Sequence, residues 1–177
     1  RYSAFLSLVT CTIAAILALW VAVPAGFILA RWNFPGKTII DAIFDVPIVL
    51  PPLVVGLFLL ILFESALGKL FQENVFRVTY EIPAVILAQF CVATAFAVRA
   101  MRITFEQMDP RTEEVALVLG CSRWQSFSLI TLPQATRGIV AAGTLAWARA
   151  LGEFGPILVF AGATREKTEV LPTTIFL

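Results

Sequence analysis

Arg149 and Glu153 are the only charges between Gly138 and Gly162. A spacing of four puts both on one face of a helix, where a guanidinium and a carboxylate can pair. If that helix starts near Arg137, Arg149 lies about 18 Å along it. That depth is near the middle of a bilayer core about 30 Å thick. Ionisable groups at such depth face protein or water rather than lipid and are functional candidates by default. Two readings stay open. The pair locks two helices together, or it forms a gate on an anion path. In a gate the arginine would attract an anion and the glutamate would keep it from binding too tightly. Gly152, Gly155 and Pro156 are expected to loosen the helix just beyond.

Other chemistries find little support. The absence of histidine removes the commonest general base, any Ser-His triad and most zinc sites. Cys11, Cys91 and Cys121 lie far apart without a C-x-x-C pair and read as small packing residues. The carboxylates are scattered over loops, so no catalytic, metal or cofactor site is expected. Gly36-Lys37-Thr38 imitates the end of the phosphate-binding pattern G-x-x-x-x-G-K-[ST], but Arg31 stands where the first glycine must be. Any nucleotide chemistry must then lie on another polypeptide.

The elements that would position these groups are membrane spans. Of 177 residues, 59% are hydrophobic and 14% charged, against about a quarter charged in soluble domains. Span one, Tyr2 to Ala30, carries no charge. In it Ala14, Ala18, Ala22 and Gly26 form a stripe that lets another helix approach closely. Arg31, Trp32 and Lys37 follow as an interfacial anchor. Span two runs about Val46 to Phe63 and opens irregularly at Pro47, Pro51 and Pro52. Span three runs about Ile82 to Val98. Span four covers Gly138 to Ala163 and carries a second stripe, Gly138, Ala142, Ala146 and Ala150. The segment 99–137 holds five arginines, Arg99, Arg102, Arg111, Arg123 and Arg137, against Lys69 and Arg77 in the 64–81 loop. The positive-inside rule places the first segment and the 31–45 loop in the cytoplasm, and the 64–81 loop outside. The start at Arg1 and the stop at Leu177 read as a piece truncated at its C-terminal end. Across 1–177 the expectation is a single all-α integral membrane domain.

One stretch is neither span nor plain loop. In residues 109–133 Asp109 suits an N-cap, with Pro110 at the first helical position and Glu113 and Glu114 early in the helix. Gly120 suits the left-handed position that ends it. Ser122 and Gln125 form a capping box for a second helix, which Pro133 closes or kinks. Each helix is predicted at about ten residues, roughly 15 Å. A DNA-reading helix-turn-helix would need a basic field around it, and the net charge is only +1; nucleic acid is not an expected partner.

This hairpin resembles the EAA motif of ABC-type importer permeases, E-A-A-x3-G-x9-I-x-L-P. Glu114, Ala116, Gly120, Ile130, Leu132 and Pro133 match, and Val115 replaces the first alanine. The phrases ARWNFPGK (30–37), DVPIVLPPLVVG (45–56) and ARALGEFGPILVFAG (148–162) resemble the permeases for tetrahedral oxyanions, molybdate and tungstate more than sulfate. The resemblance implies the transmembrane domain of a type I ABC importer, in the inner membrane. About four spans would be visible, with a cytoplasmic coupling hairpin. It implies ATP-binding cassette ATPase subunits, an extracytoplasmic oxyanion-binding protein and a second permease subunit, in a homodimer, as partners. Trp124 and Phe127 would supply apolar docking surface. Transport would be alternating access, the ATPases moving the hairpins and the hairpins rocking the spans. The alternative, a secondary anion transporter or channel, keeps the charges in the membrane but leaves the hairpin without a task.

Overall fold

In the computed structural model, residues 2–74, 78–162, 164 and 168–176 are described. Arg77 and Ala163, used above for charge counting and for the end of span four, lie outside them. The described residues are helical with no strand. Their order is α1 (Tyr2–Arg31), α2 (Lys37–Val49), α3 (Pro52–Glu64), α4 (Ala66–Asn74) and α5 (Ile82–Gln107). Then come α6 (Arg111–Val118), α7 (Arg123–Ser126), a π-helical turn (Phe127–Thr131), α8 (Leu132–Gln134), α9 (Thr136–Leu151), α10 (Gly155–Phe160) and α11 (Leu171–Phe176).

The core is built from small residues because the three helices that form it pack closely. Ala14, Ala18 and Ala22 of α1 are fully buried, as are Ala93, Ala97, Met101 and Phe105 of α5 and Ala142, Ala146 and Ala150 of α9. Both expected stripes thus turn inward, and α1, α5 and α9 pack against one another. Small faces let helix backbones approach where lipid gives no hydrophobic drive for association. Leu6 and Leu29 are buried too, whereas Phe5, Ile16 and Trp20 of α1 point outward.

Three boundaries differ from the sequence expectation. Residues 37–45, read as loop, belong to α2. The region read as span two is two helices separated at Leu50-Pro51 and bent by 117°. Pro51 and Pro52 supply no N–H to continue the ladder, so the chain turns there. Span three extends past Val98 to Gln107, because Arg99, Arg102 and Glu106 are good helix formers wherever their heads reach water. Span four breaks where its glycines are expected to loosen it, at Gly152–Phe154. Among the described residues α1 and α5 alone are single helices long and apolar enough to cross a membrane, and the bent α2–α3 pair is a third candidate.

Candidate functional site

The two helix breaks meet. Gly56 lies so close to α10 that a Cβ there would stand 2.6 Å from the Cα of Pro156, and one on Gly155 would stand 3.1 Å from the Leu53 nitrogen. Only glycine admits such an approach. A cavity of about 300 Å³ opens beside this contact, lined by Pro51, Pro52, Leu53, Arg149, Gly152, Glu153, Phe154 and Gly155. Irregular backbone at membrane depth is tolerated where it is buried in protein or lines a water-filled cavity.

Arg149 and Glu153 stand at the edge of this cavity. The guanidinium Nη1 approaches Glu153 Oε2 at 2.8 Å; Glu153 is 1% exposed and the Arg149 side chain 31%. Glu153 Oε2 has no aligned hydrogen bond, so the contact is an ion pair rather than a directed bond. The expected pairing is present, but Glu153 lies past the end of α9, in the break itself. The Arg149 guanidinium also sits 5.4 Å from the centroid of Phe96, a cation–π contact. Nothing in the sequence alone marks Gln89, a lone amide in an apolar run. Its Nε2 donates to the Ala150 carbonyl at 3.2 Å, tying α5 to the last turn of α9 just before the break. Among the described residues no cluster of acidic, histidine or cysteine side chains could hold a metal ion.

The hairpin folds from local signals. Asp109 Oδ1 accepts from the Arg111 N–H at 3.0 Å at the start of α6. Gly120 has φ +93°. The capping box closes in both directions, Ser122 N–H to Gln125 Oε1 at 2.8 Å and Gln125 N–H to Ser122 Oγ at 3.3 Å. Ala116 is buried beneath α7, whereas Val115 is 58% exposed. The departure from the motif therefore falls on the exposed face.

Trp124 is 73% exposed, and with Val115, Val118 and Leu119 it forms an outward apolar face. Phe127 lies half-buried behind it, its ring 5.8 Å from that of Trp124. Its ring packs 4.7 Å from Phe27 and 6.5 Å from Phe105, anchoring the hairpin to α1 and α5. The π-helical turn is the cause: the Leu132 N–H bonds back to Phe127 O, five residues away, ahead of Pro133. The second arm is accordingly not one regular helix. Ile130 and Leu132 are half-buried along it, Pro133 is exposed, and Glu114 is exposed on the first turn of α6. Neighbouring Glu113 serves differently. Its Oε1 takes both Nε and Nη2 of Arg31, at 3.1 and 2.9 Å, while Arg31 Nη2 also donates to Met108 O at 3.1 Å. This half-buried strap fastens the hairpin to the ends of α1 and α5.

The family model described as "Binding-protein-dependent transport system inner membrane component" matches residues 22–168. The chain belongs to this family. The matched residues hold the hairpin, both breaks and the ion pair. Among similar members is the molybdate/tungstate transport system permease protein WtpB of Thermococcus kodakarensis, 39% identical over 88% of this chain and 58% of the relative. The sulfate transport system permease protein CysT of Escherichia coli K12 is 38% identical over 85% of this chain and 55% of the relative. The chain thus spans little more than half the length of these two relatives. The molybdenum transport system permease protein ModB of Escherichia coli K12 is 33% identical over 97% of this chain and 76% of the relative.

Proposed function

We propose that this chain is the pathway-forming permease subunit of an ATP-driven oxyanion importer, carrying molybdate, with tungstate and sulfate as the alternatives to test. The observation that carries the reading is the hairpin. It matches the EAA pattern, turns Val115, Val118, Leu119 and Trp124 outward, and is fastened by Arg31 and Glu113 to the helices of the core. An apolar face held rigidly at the end of two long helices suits a separate ATPase subunit as its partner. Motion delivered there would pass along α1 and α5. A second permease copy and an extracytoplasmic binding protein complete the assembly, and the path runs between the two permeases. The break-lined cavity with Arg149 and Glu153 is the gate on that path. Glu114, Ala116, Gly120, Trp124, Ile130, Leu132 and Pro133 belong to the coupling surface or its framework, and Phe127 to its anchor.

The test is reconstitution with the ATPase and binding protein in proteoliposomes. Uptake of molybdate or tungstate, dependent on ATP and on the binding protein, supports the reading. Uptake driven by an ion gradient without ATP sinks it.

The orientation is tested separately. With Cys11, Cys91 and Cys121 replaced, a cysteine at Glu73 reacts with an impermeant thiol reagent in intact cells. One at Leu119, which is 79% exposed, reacts only after permeabilisation. The reverse pattern would remove the hairpin from the cytoplasm and from any ATPase.

A further inference from the structure

The helix α2 has no buried residue, yet it lies along α5. Its polar face explains how it is held. Asp41 and Asp45 stand one turn apart, facing Arg102 and Arg99. Arg102 Nη1 meets Asp41 Oδ1 at 2.6 Å, and its Nε meets Glu106 Oε1 at 2.7 Å. Arg99 Nη1 pairs with Asp45 Oδ1. Between the two helices lies a cavity of about 300 Å³, lined by these five charged residues with Leu29 and Phe44 among others. The contact between α2 and α5 therefore combines ion pairs with the packing of half-buried Phe44 against the core, unlike the alanine seams. On the other face of α2, Ile39, Ile43, Val46 and Val49 are exposed.

What α2 carries gives this contact its importance. It ends at the Leu50-Pro51 break, and beyond the 117° bend α3 interlocks with α10 through Gly56 and Pro156. Glu153 lies two residues before α10. A continuous physical connection thus runs from the Arg99 and Arg102 face of α5, through α2 and α3, to the cavity holding Arg149 and Glu153. We propose that Asp41, Asp45, Arg99 and Arg102 are positioning residues for transport. The paired charges fix the angle of α2 at the break and so the seat of α3 beside the gate. This rests on the transport reading above. The pair Arg102–Asp41 is the less solvated, with side chains 32% and 23% exposed against 60% and 45% for Arg99–Asp45, so it holds more firmly. Arg99–Asp45 is the one to open first.

The experiment uses the full complex in proteoliposomes with its binding protein. Asp41→Arg and Arg102→Asp each lower anion uptake at least tenfold, and the two combined restore it to within about twofold of wild type. Asp41→Asn with Asp45→Asn, which introduces no reversed charge, also lowers uptake. Spin labels at Ile43 and Ile103, in a chain without its native cysteines, give a readout independent of transport. Their narrow distance distribution broadens or shifts in the double Asn variant. An unchanged distribution overturns the proposal, as does a charge exchange that stays as inactive as its single parents. Absence of uptake by the wild-type complex counts instead against the transport reading, and the spin-label distances still decide the role of the quartet.

Discussion

Arg149→Ala abolishes uptake, and Glu153→Ala impairs it less. The difference follows from burial. Glu153 is 1% exposed and its charge partner among the described residues is Arg149, whereas the Arg149 side chain is 31% exposed and keeps its contact with Phe96. Stranding one member of a buried ion pair costs about 3–5 kcal/mol. That cost applies almost fully to Glu153 left alone. It applies only in part to Arg149 left alone, since water reaches it. The double variant Arg149→Met with Glu153→Leu separates the two roles, because a well-packed apolar pair can replace a buried ion pair at little cost. If the pair is only a lock, assembly and uptake both return. If Arg149 also meets the anion, the double variant assembles normally but transports poorly. Assembly and uptake measured on the same preparations distinguish these outcomes. Wild-type behaviour of both single variants would remove the pair from the gate.

Gly120→Val inserts into the membrane normally but hydrolyses ATP without uptake, whereas Gly120→Asn stays largely coupled. The residue has φ +93°, and nothing lies within 4 Å of where a Cβ would stand. Any penalty is therefore conformational rather than a clash. The left-handed region costs an L-residue roughly 1–2 kcal/mol, asparagine tolerates it, and valine pays most for its β-branch. Relief of that strain would open the turn and displace the outward apolar face on both arms. Glu114→Lys tests the same surface from another direction. Glu114 is exposed, and its favourable place in the first turn is worth only about 0.3–1 kcal/mol. A large loss of coupling there would thus report docking rather than folding. The checks are the ratio of ATP hydrolysed to anion taken up, and co-purification with the ATPase. Full coupling in Gly120→Val and Glu114→Lys at normal expression would remove the hairpin from the coupling role.

What could be read from the sequence was local or periodic. The turn at Gly120 and the box of Ser122 and Gln125 are set by residues within one helical turn of each other. The alanine stripes declare themselves by a repeat of four, and the break after Leu151 by its two glycines and a proline. Three features escaped for physical reasons. The direction of Phe127 depends on the π-helical turn, whose extra residue rotates all that precedes it relative to a regular helix. The strap from Arg31 to Glu113 joins positions 82 apart, and the pairs from Arg99 to Asp45 and Arg102 to Asp41 join positions 54 and 61 apart. Such pairings leave no periodic trace. The helical character of 37–45 was masked by the prolines that follow it, of which Pro47 lies inside α2 and Pro51 and Pro52 follow its end.

The contact of Gly56 with Pro156 bears on how such chains can diverge. Any side chain at 56 would meet the backbone of α10 at 2.6 Å, so position 56 stays glycine as long as α3 and α10 keep this approach. A lineage that exchanges one oxyanion for another must keep this seam while altering residues elsewhere. The glycine at 56 is then held by geometry. Under the proposed function, residues that select the anion are to be sought away from this seam.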